Sequence, residues 1–138
     1  MNAETPKSLV IEREIPHPPE KVWRALTQGD LIKQWLMDNG FQPVVGHKFQ
    51  FRSAPAPGWN GIIDAQVLVV EPTKKISYSW ASMGLESVVT WTLTPTTSGT
   101  MLRFEQSGFG PGMEAAYKGA NYGWQRFIGN MEKLVGGL

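Results

Sequence analysis

The chain has 138 residues, no cysteine, and thirteen Lys/Arg against twelve Asp/Glu, for a net charge of +1. The lack of cysteine excludes disulfides, thiolate metal sites and a cysteine nucleophile, and the near-neutral balance supplies no summed field to attract nucleic acid or an anionic membrane, so neither is expected as a partner. A chain of this size buries about two-thirds of the surface its unfolded form exposes, so one continuous domain over residues 1–138 is expected to fold without staples.

The N-terminus MNAETPKS is polar, and no apolar run approaches the roughly 18 residues a spanning helix needs, so the expected address is the cytoplasm. From Ser8 to Ile15, Leu9, Ile11 and Arg13 alternate with Val10, Glu12 and Glu14, the period of a strand. Pro16, Pro18 and Pro19 end it, and a helix starts near Pro19, where the missing N–H costs nothing and Glu20 lies beside the positive end of the dipole. Val22, Trp23 and Leu26 make its apolar stripe. Thr27-Gln28-Gly29-Asp30 resembles a capping box with Asp in place of Glu, which predicts a second short helix with Leu31 and Trp35 on one face.

After a connection at Asp38–Gly46 the pattern becomes period two, with turn residues at each break, which predicts an antiparallel meander. Its strands are His47–Arg52, Ile62–Glu71, Lys75–Ala81, Ser87–Thr94 and Thr100–Gln106. One alternate set is rich in rings: Phe49 and Phe51; Ile76, Tyr78 and Trp80; Val89, Trp91 and Leu93; Leu102 and Phe104. The cover for that face is a long helix from Met113 to Val135. There Met113, Ala116, Tyr117, Ala120, Trp124, Phe127, Met131, Leu134 and Val135 recur at three- and four-residue steps. Gly119, Gly123 and Gly129 each cost about 1 kcal/mol against alanine in a helix, which predicts close backbone approach at those positions.

The order of strand, two short helices, meander and long terminal helix predicts an α+β helix-grip fold, a curved antiparallel sheet wrapped around the C-terminal helix. The residues carry a resemblance as well. Ile15-Pro16-His17-Pro18-Pro19-Glu20-Lys21-Val22-Trp23-Arg24-Ala25-Leu26-Thr27, followed by Leu31 and Trp35, resembles the opening of the Hsp90 ATPase activator homologue-like family, in the START/SRPBCC superfamily that also holds birch-pollen-allergen-like and polyketide-cyclase-like proteins. Gly46-His47-Lys48-Phe49, the Glu71–Trp80 hairpin, Gly99-Thr100-Met101-Leu102 and Gly123-Trp124 extend the resemblance over essentially the whole chain. Two positions depart from the family pattern: His47 replaces a glycine, and Pro18, which has no capping side chain, precedes the first helix.

Trp35, Phe51, Trp80, Trp91, Phe104, Trp124 and Phe127 are expected to face the space between grip helix and sheet. Two outcomes are open there, a filled aromatic core or a ligand-sized cavity. An empty cavity of about 300 Å³ would cost roughly 7 kcal/mol, so a void must be narrowed, wetted or occupied. His17 and His47 lack partners at metal-ligand spacing, and neither metal nor cofactor is expected. Asp64, Glu86 and Glu105 are the strand-borne carboxylates, and alternation turns Asp64 and Glu105 outward if Phe104 points inward, so no catalytic residue is assigned. Gly108-Phe109-Gly110-Pro111-Gly112 reads either as a mobile flap at the mouth of the grip or as a simple turn into the helix.

The expected function is binding of a small hydrophobic or aromatic molecule between sheet and C-terminal helix. Trp35, Phe51, Trp80, Trp91, Phe104 and Trp124 would supply apolar area, and Tyr78, Tyr117 or Asn121 would orient a polar end. The resemblance implies two alternatives, a cyclase-, dehydratase- or hydrolase-like enzyme on an aromatic or polyketide substrate, and a co-chaperone stimulating the Hsp90 ATPase. Only the one module is expected from this sequence, without the additional N-terminal domain of such activators, which weighs against the last. A homodimer stays open, with no residue marking its interface.

Overall fold

In the computed structural model, which describes residues 7–138, strand β1 (Lys7–Ile15) is followed by helices α1 (Pro19–Thr27) and α2 (Gly29–Trp35). Strands β2 (Asp38–Asn39), β3 (Lys48–Arg52), β4 (Ile62–Glu71), β5 (Lys75–Ser82), β6 (Leu85–Pro95) and β7 (Thr100–Phe109) come next, and α3 (Glu114–Gly136) closes the chain. The strands form one antiparallel sheet in the order β1-β7-β6-β5-β4-β3-β2. This is the expected helix-grip architecture, with one addition. The connection at residues 38–46 contributes the two-residue strand β2, paired Asp38 to Arg52 and Asn39 to Phe51.

Each predicted ring-bearing face points inward. Phe51, Ile76, Val89, Trp91, Leu102 and Phe104 are fully buried, and Phe49, Tyr78, Trp80 and Leu93 nearly so. Register enforces this, because a one-residue slip would turn every ring outward. The β5–β6 hairpin closes through Met83 and Gly84, both at positive φ, the two-residue turn whose twist matches the strands it joins. Helix α3 lies against β1, β7 and the α1–α2 pair, burying Trp124, Ile128, Met131 and Val135. Arg13 of β1 holds it from the side, donating to Glu132 at 3.0 Å and to Gln125 at 2.7 Å.

Two local expectations are corrected, and one left open is narrowed. Thr27 does not cap α2; it ends α1, where its hydroxyl donates back to the Trp23 carbonyl at 2.7 Å, and Gln28 stands at the cap position without a side-chain bond. The α2 helix is held instead by Trp35, whose indole Nε1 donates to the Ala25 carbonyl of α1 at 2.8 Å. The glycines of α3 make no close backbone approach: a Cβ at Gly119 or Gly129 would meet nothing within 4 Å, and one at Gly123 only the Phe127 ring edge at 4.0 Å. The glycine-rich segment after β7 is anchored, since Phe109 is buried against Tyr117 with ring centroids 5.4 Å apart and Met113 Sδ accepts from the Gly110 N–H. These contacts fit the turn reading of that segment.

Candidate functional site

The aromatic constellation divides into a filled part and an open part. Trp35 meets Trp91 edge-on at 5.7 Å between centroids, Trp91 packs on Phe104 at 4.8 Å, and Phe104 on Trp124 at 4.5 Å. Trp124 in turn touches Trp80 at 4.9 Å, and Trp80 touches Phe51 at 5.0 Å. Trp35, Phe51, Tyr78, Trp91 and Phe104 therefore form the close-packed floor, not a ligand-sized hollow. Tyr78 is inside this floor, where its hydroxyl accepts from Trp91 Nε1 at 2.9 Å and desolvation pushes its pKa well above the ordinary tyrosine range.

Above that floor, at the N-terminal half of α3, lies a cavity of about 730 Å³ that opens to solvent on one side. One wall is α3, presenting Ala116, Gly119, Ala120, Gly123, Trp124 and Phe127. The opposite wall is built by Leu36 and Met37 after α2, Ile63 of β4, Trp80 and Ser82 of β5, Leu85 of β6 and Gln106 of β7, with Ser53 and Trp59 from the β3–β4 loop at the rim. Ala116, Gly119, Ala120 and Gly123 follow the i, i+3, i+4, i+7 spacing of one helix face. Gly119 and Gly123, which offer no backbone approach, thus have a different physical role: their missing side chains leave the space.

The β3–β4 loop is shaped to hang Trp59 over this opening. Ala56 and Trp59 exchange backbone hydrogen bonds of 3.0 and 2.9 Å around Pro57-Gly58, with Gly58 at φ +79°, a type II turn with its preferred residues. Trp59 Nε1 donates to Ser82 Oγ at 2.9 Å, and Ser82 Oγ donates to the Ile62 carbonyl at 3.2 Å.

Of the residues expected to contact a ligand, Trp80 and Trp124 line the cavity and five belong to its floor. Tyr117 and Asn121 are not part of the wall: Tyr117 packs on Phe109, and Asn121 is on the exposed face of α3, accepting from Gln125 at 3.4 Å. The helical turn explains this, because Asn121 is one residue past Ala120, about 100° around the axis. Among the wall residues that sequence reasoning missed, Gln106 and Trp59 matter most. Gln106 continues the inward series Leu102, Phe104 by the same alternation that turned Glu105 outward, and Trp59 is a large ring inside a Pro/Gly turn.

Gln106 is only 1% exposed. Its Oε1 accepts from Trp124 Nε1 at 2.9 Å, and its Nε2 donates to Ser87 Oγ at 3.0 Å, which donates to the Trp80 carbonyl at 2.8 Å. Among the described residues no ionisable side chain lines the cavity. The strand carboxylates are elsewhere: Asp64 accepts from Gln50 on the outer face, Glu105 pairs with Arg103, and Glu86 is exposed. His47 stacks on Phe49 and its Nε2 donates to the Gly40 carbonyl at 2.7 Å. Among the described residues no group of three His, Asp or Glu is placed to hold a metal, and no helix is long and apolar enough to cross a membrane.

This architecture recurs in solved structures. Protein MLL2253 from Mesorhizobium loti is 50% identical with a TM-score of 0.88, the match covering 94% of this chain and 96% of that one. Protein BH1534 from Bacillus halodurans is 25% identical with a TM-score of 0.80, covering 94% and 96%. DynU16, from the dynemicin biosynthetic locus, is 25% identical with a TM-score of 0.79; the match covers 91% of this chain and 46% of that one, so this chain spans about half its length. No match is found among curated proteins. The family described as Activator of Hsp90 ATPase homolog 1-like protein matches over residues 16–136, nearly the whole grip from the Pro-rich turn to the end of α3, and the chain belongs to that family.

Proposed function

We propose that the protein binds a small, mostly apolar molecule in the cavity between the sheet and α3. The observation that carries this reading is a hollow of about 730 Å³, within the range of small-molecule sites, walled by apolar side chains around a few polar groups. Because the hollow opens to solvent, its apolar walls face water, and an apolar molecule that displaces this water gains the burial of both surfaces. Trp80, Trp124 and Phe127 supply ring faces to the occupant.

The wall also bears on the enzymatic alternative, to which the likeness to DynU16 lends its support. General acid–base catalysis needs a titratable group within hydrogen-bond reach of substrate, and the lining residues offer serine, glutamine and indole groups in place of His, Asp, Glu, Lys or Arg. That chemistry favours holding a molecule over transforming it. A ligand at 100 times its dissociation constant adds about 2.7 kcal/mol of stability, so the test is a thermal-shift screen of uncharged aromatic and alicyclic compounds. Upward shifts confined to apolar compounds are expected; a flat response across a broad panel overturns the proposal.

A further inference from the structure

This inference rests on the binding reading above and names the chemistry of the ligand. The orientation of the Gln106 amide is dictated by its neighbours. An indole N–H only donates, so the amide atom 2.9 Å from Trp124 Nε1 is the oxygen, and the nitrogen faces Ser87 Oγ. A primary amide carries two N–H donors and two acceptor lone pairs, and among the described residues one of each is used. Other polar side chains on the wall have committed their protons: Trp59 Nε1 to Ser82, Ser82 Oγ to the Ile62 carbonyl, Trp124 Nε1 to Gln106 itself. Ser53 is at the exposed rim. Among the described side chains, the second Nε2–H of Gln106 is therefore the donor left in the buried part of the wall.

We propose that this N–H is the polar anchor of the site, and that the ligand is an uncharged, ring-containing molecule whose carbonyl oxygen accepts from it. A carboxylate or an ammonium entering the same space would shed its hydration with no opposite charge to meet it, a large penalty. A neutral carbonyl sheds less and recovers a hydrogen bond from a donor that is already fixed in place by Trp124 and Ser87. A ring system then covers the faces of Trp80 and Trp124, whose centroids are 4.9 Å apart.

The test uses three probes of one shape, titrated by fluorescence at pH 8: 2-acetylanthracene, its hydrocarbon isostere 2-isopropenylanthracene, and anthracene-2-carboxylate. The ketone should bind about five- to tenfold more tightly than the hydrocarbon, the return on one hydrogen bond, and the carboxylate should bind weakest. In Gln106→Glu the ketone preference should vanish, because a carboxylate donates nothing and the acid form has a single O–H, which Ser87 takes, while the acceptor for Trp124 is kept. The wild-type protein provides a readout independent of that variant's folding: the carbonyl stretch of the bound ketone should move to lower frequency than in hydrocarbon solvent. Equal affinities for ketone and hydrocarbon, or an unshifted stretch, overturn the anchor and leave the binding site standing. Failure of all three probes to bind removes the proposed function and the anchor together.

Discussion

Trp91 Nε1 donates to the Tyr78 hydroxyl at 2.9 Å across the β5–β6 ladder, with both side chains sealed inside the aromatic floor. Burial raises the Tyr78 pKa by disfavouring the phenolate, against a smaller lowering by the bond from Trp91. In the unfolded chain the phenol titrates near its ordinary value of about 10. Above that pH the unfolded state has lost a proton that the native state retains, so stability falls as pH rises; below it Tyr78 contributes no slope. The expected slope above pH 10 is about 1.4 kcal/mol per pH unit. Urea unfolding followed by circular dichroism at pH 8 to 11.5 measures it, and Tyr78→Phe should flatten that limb.

The small residues of α3 set stability against cavity volume. Gly119 and Gly123 are helix-interior positions with room for a methyl group, so Gly119→Ala and Gly123→Ala should each stabilise by about 1 kcal/mol, which raises the melting temperature by roughly 3–5 °C. Larger side chains on the same stripe, Gly123→Leu or Ala120→Phe, should keep the fold and abolish the thermal shift given by any ligand of the cavity. A Gly123→Leu protein that still responds to ligand would show that binding takes place elsewhere.

Gly61 poses the opposite constraint. It is at φ +81°, and an added Cβ would run into the Ser53 carbonyl oxygen, while the Gly61 carbonyl accepts from the Ser53 N–H at 2.8 Å to close the loop that carries Trp59. Gly61→Ala combines a left-handed backbone with a steric overlap, so a loss of about 1–3 kcal/mol is expected in urea unfolding. Ligand affinity should weaken with it, because the rim loop has to move.

The sequence made the scaffold legible because the scaffold rests on periodicity. Strand alternation placed Phe51, Tyr78, Trp91 and Phe104 on the inner face, and the three- and four-residue steps of α3 placed Trp124 and Met131 on its buried stripe. What periodicity leaves open is how far apart two facing surfaces stand, so the same rings were candidates for a ligand wall and for a packed floor. Most are floor. The space comes from what α3 lacks at Gly119 and Gly123, and a missing side chain leaves the same trace in sequence as a close helix–sheet crossing. Gln106 was hidden for another reason: a polar residue at an inward position reads as the end of a strand until its two partners, Trp124 and Ser87, are brought to it by non-local pairing.

That network joins the helix to the sheet, and its cooperativity is measurable. Trp124→Phe leaves the Gln106 oxygen without its indole donor, and Gln106→Met leaves the Trp124 N–H and the Ser87 hydroxyl each short of a partner. Leaving a buried donor or acceptor unmet costs about 1–3 kcal/mol, more than the net value of a hydrogen bond, so each single substitution should destabilise by about that much. The double variant removes the donor and the acceptor of the shared bond together, so its loss should fall short of the sum of the singles by about 1 kcal/mol or more. A double-mutant cycle from urea unfolding reads the difference directly. Strict additivity would mean that water reaches Gln106 from the cavity and satisfies it in each single variant, making the cavity a hydrated space even beside α3.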